Sequence, residues 1–212
     1  MHRLGYVTLT DARRADSVVA MATPAVRTRR WTRVEYERLV DLGVFKPGER
    51  LELLDGLLVV REPQSASHSA TIRAVEEALR TAFGTGWDVR VQLPIALDDE
   101  SEPEPDIAVV PGSYRDYHRE HPTRAVLVVE VAGASLAYDR RHKGVAYARA
   151  GIPEYWIVNR VDDVVEVYRA PAAPEVARVG WAYSDVQRLE HGDVVSPLAA
   201  PAARIAVSDL LP

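Results

Sequence analysis

The chain has 212 residues, 47% hydrophobic and 27% charged, enough to bury the core of one globular unit. Its 26 Lys+Arg stand against 31 Asp+Glu, a net charge of −5, which excludes a polycationic coat for nucleic acid and leaves any polyanion to a local basic patch. The absence of cysteine excludes disulfide staples, thiolate metal sites and a cysteine nucleophile and fits a cytoplasmic location, and no apolar run approaches the roughly 18 residues of a membrane span.

Residues 1–30 hold six Arg and two Asp, a local +4, so the remainder carries −9. Without sustained periodicity this stretch reads as a tail or an over-extended start, with Met21 as a second beginning, or as a basic arm that touches phosphates. One folded domain is expected over residues 31–212. It opens at Thr32, where Thr32-Arg33-Val34-Glu35 is a capping box before the apolar positions Leu39 and Val40 of a short helix. Leu51-Glu52-Leu53-Leu54, Asp55-Gly56 and Leu57-Leu58-Val59-Val60 predict a hairpin on a type I′ turn. Ser65 or Ser67 can cap a helix with Ile72, Val75, Leu79, Ala82 and Phe83 at a 3.6-residue period, ending near Gly84 and Gly86. Trp87, Val89, Val91 and Leu93 alternate as a half-buried strand.

Beyond Asp98 the pattern predicts a strand over 106–110, an almost wholly apolar strand over 125–131 and a helix over 138–150 stopped by Gly151 and Pro153. Two more strands follow at 154–159 and 164–169. Pro171, Pro174, Pro197 and Pro201 break the final forty residues into short strands and turns, with a helical turn near Ser208. The order predicts an α/β fold of mixed α+β type, a central mixed sheet flanked by helices with an N-terminal helix and hairpin.

No phosphate-binding GxxxxGK[ST] loop, GxSxG elbow or HExxH is present, and the six histidines lack ligand spacing. The informative residues are charges in the wrong places. Glu130 interrupts Val126-Leu127-Val128-Val129-Glu130-Val131 and shares a face with Val126 and Val128. Burying an unpaired carboxylate costs several kcal/mol, so it either sits at an exposed strand end bonded to backbone or Arg, or binds a metal. Asp106 closes DDESEPEPD, six acids in nine positions, and is either the last charge of a solvated loop or the first residue of a core strand. Two carboxylates at adjacent strand ends can converge on one hard divalent cation. Of the 26 basic residues only Lys46 and Lys143 are lysine, so a retained Lys143 hints at a need for a compact ammonium. With Ala146, Tyr147 and Ala150 it forms a stripe facing the sheet, unless it snorkels beside Arg140 and Arg141.

Asp, Glu and Lys together are the parts of metal-assisted phosphodiester hydrolysis. The stretches PEPDIAVV (103–110), AVLVVEV (125–131) and YDRRHKGVAYARAGIPEYWIVN (138–159) resemble the Uma-two family of restriction-endonuclease-like proteins within the PD-(D/E)XK superfamily, as do VEYERL and the LELLDG hairpin. The resemblance runs from about Trp31 to Arg169. It implies a restriction-endonuclease-like core and an endonuclease that uses Mg²⁺ or Mn²⁺ to hydrolyse DNA, leaving 5′-phosphate. Asp106 and Glu130 are then the metal ligands, and Lys143, displaced from the usual position at Ala132 to the next helix, orients or activates the water. Glu52 and His68 match family positions as second-tier site residues; their plainer readings are an outward strand side chain and a helix-start hydrogen bonder. The loop Ala132-Gly133-Ala134-Ser135 and Asn159, where Asp is usual, depart from the pattern.

Phosphate contacts are expected from Arg115, Arg119, Arg124, Arg140 and Arg141, which otherwise form a solvated face. Cutting both strands of a duplex favours a homodimer. The rival readings are a catalytically inactive binding or regulatory module on the same fold and a hydrolase of another phosphate ester.

Overall fold

The computed structural model describes residues 28–173, 175 and 180–212; of the basic stretch over 1–30, all but the last three residues lie outside these. Thr32 caps helix α1 (Arg33–Asp41) reciprocally: its hydroxyl accepts the Glu35 N–H while the Glu35 carboxylate accepts the Thr32 N–H. Strands β1 (Leu51–Leu54) and β2 (Leu57–Val60) pair antiparallel with Leu54 opposite Leu57. Asp55 and Gly56 both take positive φ, 50° and 71°, the two left-handed residues a type I′ turn requires. The hairpin is then fastened down. Glu102 N–H donates to Leu53 O at 2.8 Å, and Arg149 bridges Asp55 at 2.6 Å and Asp98 at 3.0 Å.

Ser65 accepts the His68 N–H and starts helix α2 (Ala66–Phe83), which buries Ile72, Val75, Leu79 and Phe83 on one face and ends at Gly84, φ 64°. Strand β3 (Trp87–Val91) stops short of Leu93: Gln92 turns to φ 51° ahead of Pro94, and Leu93 is exposed. The main sheet continues with β4 (Ile107–Pro111), β5 (Leu127–Ala132), β6 (Glu154–Asn159), β7 (Val164–Ala172) and β8 (Ala182–Leu189). Its strands lie in sequence order, β3 to β8, all neighbours antiparallel except β5 and β6.

That parallel pair needs a crossover, and one helical segment, α3, supplies it. α3 joins a turn at Leu136–Tyr138, a π-helical stretch at Asp139–Lys143 and an α-helix at Gly144–Arg149. Two small strands, β9 (Val194–Val195) and β10 (Ile205–Ala206), and helix α4 (Val207–Leu210) finish the chain much as Pro197 and Pro201 suggest, whereas β7 runs on through Pro171, which pairs with Tyr183, and Pro174 lies outside the described residues. The eight-residue β8 is the exception: only Tyr183 is buried along this polar edge strand, so no apolar period marks it.

Both faces of the sheet are covered. α2 and α4 pack on Ile107, Val109, Leu127, Val129 and Trp156, while Tyr147 and Ile152 pack on Ala108, Val128 and Ile157. Every residue of β5 and β6 is buried, which explains their unbroken apolar runs. A carboxylate within β5 therefore works against its own strand, costing several kcal/mol unless paired, against about 1.5–3 kcal/mol gained by each buried large aliphatic side chain. No helix among the described residues is long and apolar enough to cross a membrane.

Candidate active site

Asp106 directly precedes β4. The β4–β5 register pairs Ile107 with Val129, and carrying it one residue further sets Asp106 opposite Glu130. Opposed residues on one face of an antiparallel pair have Cβ atoms about 4.5–5.5 Å apart. Asp106 is held from several sides: Oδ2 accepts the Val131 N–H at 2.9 Å, and Oδ1 accepts from Gln92 at 3.2 Å and Arg61 at 3.3 Å. His68 Nε2 lies 3.5 Å from Oδ2, at the outer limit, and is buried without a well-formed hydrogen bond. Burial pushes the Asp106 carboxyl up, but nearby His68, the Val131 N–H and Lys143 outweigh it and hold the group below its ordinary value.

The opposite wall comes from α3, where Asp139, Lys143 and Tyr147 are all buried at intervals of four. An α-helix returns to one face every 3.6 residues, so a spacing of four drifts around the axis; the wider π turn, closed by the Gly144 N–H on Asp139 O, absorbs that drift. A Cβ at Gly144 would meet Asp139 O at 3.4 Å and the Tyr155 ring at 3.6 Å, ordinary contact distances, so the turn itself does not demand glycine. The Lys143 ammonium donates to Glu130 Oε1 at 2.9 Å and lies 3.3 Å from Glu52 Oε1. Glu52, 2% exposed rather than outward, also accepts the Glu104 N–H at 3.0 Å.

The Tyr147 hydroxyl donates to the same Glu130 oxygen at 2.7 Å. With Lys143 it occupies Oε1, and among the described residues no hydrogen bond reaches Oε2. Burial pushes the Glu130 carboxyl up to about 8; Lys143 pulls it back, while Asp106, Asp139 and Glu52 add to the rise. Lys143 stands above its ordinary value because Glu130, Glu52 and Asp139 outweigh its own burial. Burial likewise lifts Asp139 to about 6, opposed by Lys143 and by the Ser135 hydroxyl at 2.6 Å. Tyr147→Phe removes one of the two donors on Oε1 and is expected to raise the Glu130 pKa by about one, an amount equivalent to about 1.4 kcal/mol. Carboxyl-carbon NMR titration measures it; an unmoved titration would show that the hydroxyl does not hold the charge.

Glu52, His68, Asp106, Glu130 and Lys143 all line one cleft of about 510 Å³. Arg61, Asp139 and Arg160 line it too and were not singled out from sequence, although Asp139 stands four residues before Lys143, a spacing that marks a shared helical face. None of Arg115, Arg119, Arg124, Arg140 and Arg141 lines it. The first three lie between the end of β4 and the start of β5, and in an antiparallel pair that is the opposite end of the sheet from Asp106 and Glu130. Arg140 is spent on Glu166, with its Nε at 2.9 Å and a second N–H on the other oxygen, and Arg141 is exposed.

Glu52, Glu62, Asp106, Glu130 and Asp139 outnumber Arg61, Lys143 and Arg160, and the negative charge of Asp106, Asp139 and Glu52 is part of what raises Glu130. Among the described residues no three His, Asp or Glu side chains form a closed cation cage. The donor chemistry fits a hard cation held by two carboxylates that completes its shell with water or substrate oxygens.

The Uma2 family model, described as "Putative restriction endonuclease", matches residues 33–208. The chain belongs to the Uma2 family. The matched region runs from α1 into α4 and contains the whole cleft. The crystal structure of a "putative nuclease belonging to DUF820" from Anabaena variabilis is similar, with a TM-score of 0.62 at 14% identity over 85% of this chain and 97% of that one. That likeness establishes the fold, a mixed α+β architecture around the six-stranded sheet. Among curated proteins none matches the chain.

Proposed function

We propose that this Uma2 protein is a Mg²⁺- or Mn²⁺-dependent endonuclease of the cytoplasm that hydrolyses DNA phosphodiester bonds, with Asp106 and Glu130 holding the cation and Lys143 orienting the water. The reading is carried by one observation: Asp106, just before β4 and bonded to the Val131 N–H at 2.9 Å, and Glu130 in β5 line one cleft, with the Lys143 ammonium 2.9 Å from Glu130. When bound, a divalent cation neutralises phosphate charge and lowers the pKa of its water. The chain's own residues prepare for it. Val131 N–H and Gln92 fix Asp106, and Lys143 with Tyr147 fixes Glu130 through Oε1, leaving Oε2 for a cation. Lys143 remains an ammonium, so near the reacting phosphate it serves as an electrostatic stabiliser and a hydrogen-bond donor rather than as a base.

The test is incubation of the purified protein with supercoiled plasmid and Mg²⁺ or Mn²⁺. Cleavage is expected in the wild type and lost in Asp106→Ala, Glu130→Ala and Lys143→Ala variants that keep their circular dichroism. Linear product appearing without accumulated nicked circles is expected if a homodimer brings two clefts to one duplex. Cleavage unchanged in all three variants would falsify the assignment, and wild-type DNA binding without any cleavage would favour the inactive binding module.

A further inference from the structure

We propose that Arg160 is a substrate-binding residue that grips a backbone phosphate of the nucleic-acid strand at the mouth of the cleft, an inference that rests on the nuclease reading above. Arg160 follows β6 directly. Its N–H donates to Ala132 O at 3.0 Å, which pins its backbone beside β5 two residues beyond Glu130. From there the side chain reaches the start of α2, where its guanidinium donates to Ser67 Oγ at 2.6 Å. It therefore spans the gap between the sheet and the helix that carries His68.

The other permanent cations lining the cleft are already committed. Lys143 serves Glu130 and Glu52, and Arg61 serves Glu104 at 2.9 Å and Asp106 at 3.3 Å. Arg160 makes no ion pair with a carboxylate among the described residues; its side-chain partner is a neutral hydroxyl. A guanidinium has five N–H donors in a planar fork, and one alcohol leaves most of them available in the geometry that grips phosphate by two parallel bonds. The charge of the cleft gives this a purpose. Five carboxylates repel an approaching phosphodiester strand, and Arg160 is the lining Arg or Lys that makes no ion pair with a carboxylate among the described residues. A phosphate contact carries no base information, so it should act on every sequence alike.

The experiment measures fluorescence anisotropy of labelled DNA duplexes of two unrelated sequences, in Ca²⁺, across a salt series. Arg160→Gln is expected to weaken binding about ten-fold on both duplexes and to make the log–log salt slope shallower by about one. Arg204→Gln, exposed and outside the cleft, is expected to leave both quantities unchanged. Wild-type binding with Arg160→Gln identical in affinity and slope overturns the assignment while leaving the nuclease reading intact. A loss confined to one sequence overturns it as well, since that marks a base contact. No binding by the wild type sinks both the assignment and the DNA-nuclease reading beneath it.

Discussion

Lys143→Met is expected to abolish cleavage and to destabilise the fold by about 3–5 kcal/mol at pH 9, where Glu130 is ionised in the wild type, measured by plasmid digestion and urea denaturation. The ammonium is buried to 5% exposure and is the counter-charge shared by Glu130 at 2.9 Å and Glu52 at 3.3 Å. Methionine fills a similar volume, so the loss is electrostatic rather than a cavity. Without the ammonium two carboxylates share a buried site, and Glu130, already pushed up to about 8 by burial, takes a proton and limits the damage. Stability and chemistry can be separated in one further step. Adding Glu130→Gln removes the group that must take up that proton and keeps an oxygen that can accept the Tyr147 hydroxyl, so the double variant is expected to regain most of the stability and none of the activity. A double variant as unstable as Lys143→Met would place the energy outside this ion pair, and full cleavage by Lys143→Met would remove Lys143 from the mechanism.

Glu130 and Lys143 were visible in the sequence because each breaks a pattern. A carboxylate in the apolar run of β5 and one of two lysines among 26 basic residues both call for a local reason, and the structure places them 2.9 Å apart. Glu52 was ambiguous. Strand alternation reads it outward, but β1 is buried over Glu52, Leu53 and Leu54 together because residues 101–104 cover the hairpin. That covering segment also defeats a composition-based reading: its acids look solvated, yet Ser101 is fully buried and Glu102 is 3% exposed. The π stretch of α3 has no signature beyond Asp139 and Lys143 being four apart. The arginine run could not be placed without strand direction, since nearness in sequence to Asp106 becomes the far end of the sheet once β4 and β5 run antiparallel.

With no divalent cation present, stability is expected to fall as pH rises from about 4.5 to about 8. Glu130 and Glu102 each have an ordinary value of 4.5 and are lifted to about 8, chiefly by burial and, for Glu102, also by Glu37 beside it. A raised carboxyl binds its proton more tightly in the folded state than in the unfolded chain. Its stabilisation is complete below 4.5 and gone above 8, and each ten-fold gain in proton affinity on folding is worth about 1.4 kcal/mol. Asp139, raised to about 6 from 3.8, adds to the decline in the acid half of that window. One opposing group acts inside the window: burial holds His121 below 6.5, so its share of stability grows as pH rises toward 6.5 and offsets part of the decline. The others act elsewhere. Asp106 is depressed below 3.8, so its stabilisation is lost only as pH falls through that lowered value, and Lys143, raised above 10.5, keeps its contribution throughout. A cation that needs the ionised carboxylates competes with these protons, so Mn²⁺ should stabilise the protein more at pH 8 than at pH 5.5, by about 2.7 kcal/mol when present at one hundred times its Kd. Glu130→Gln should both flatten the decline, leaving the share of Glu102, and remove the Mn²⁺ effect. Melting temperatures that stay level from pH 5 to 8, or a Mn²⁺ effect equal at both ends, would mean that Glu130 is not the proton-bearing ligand of this cleft.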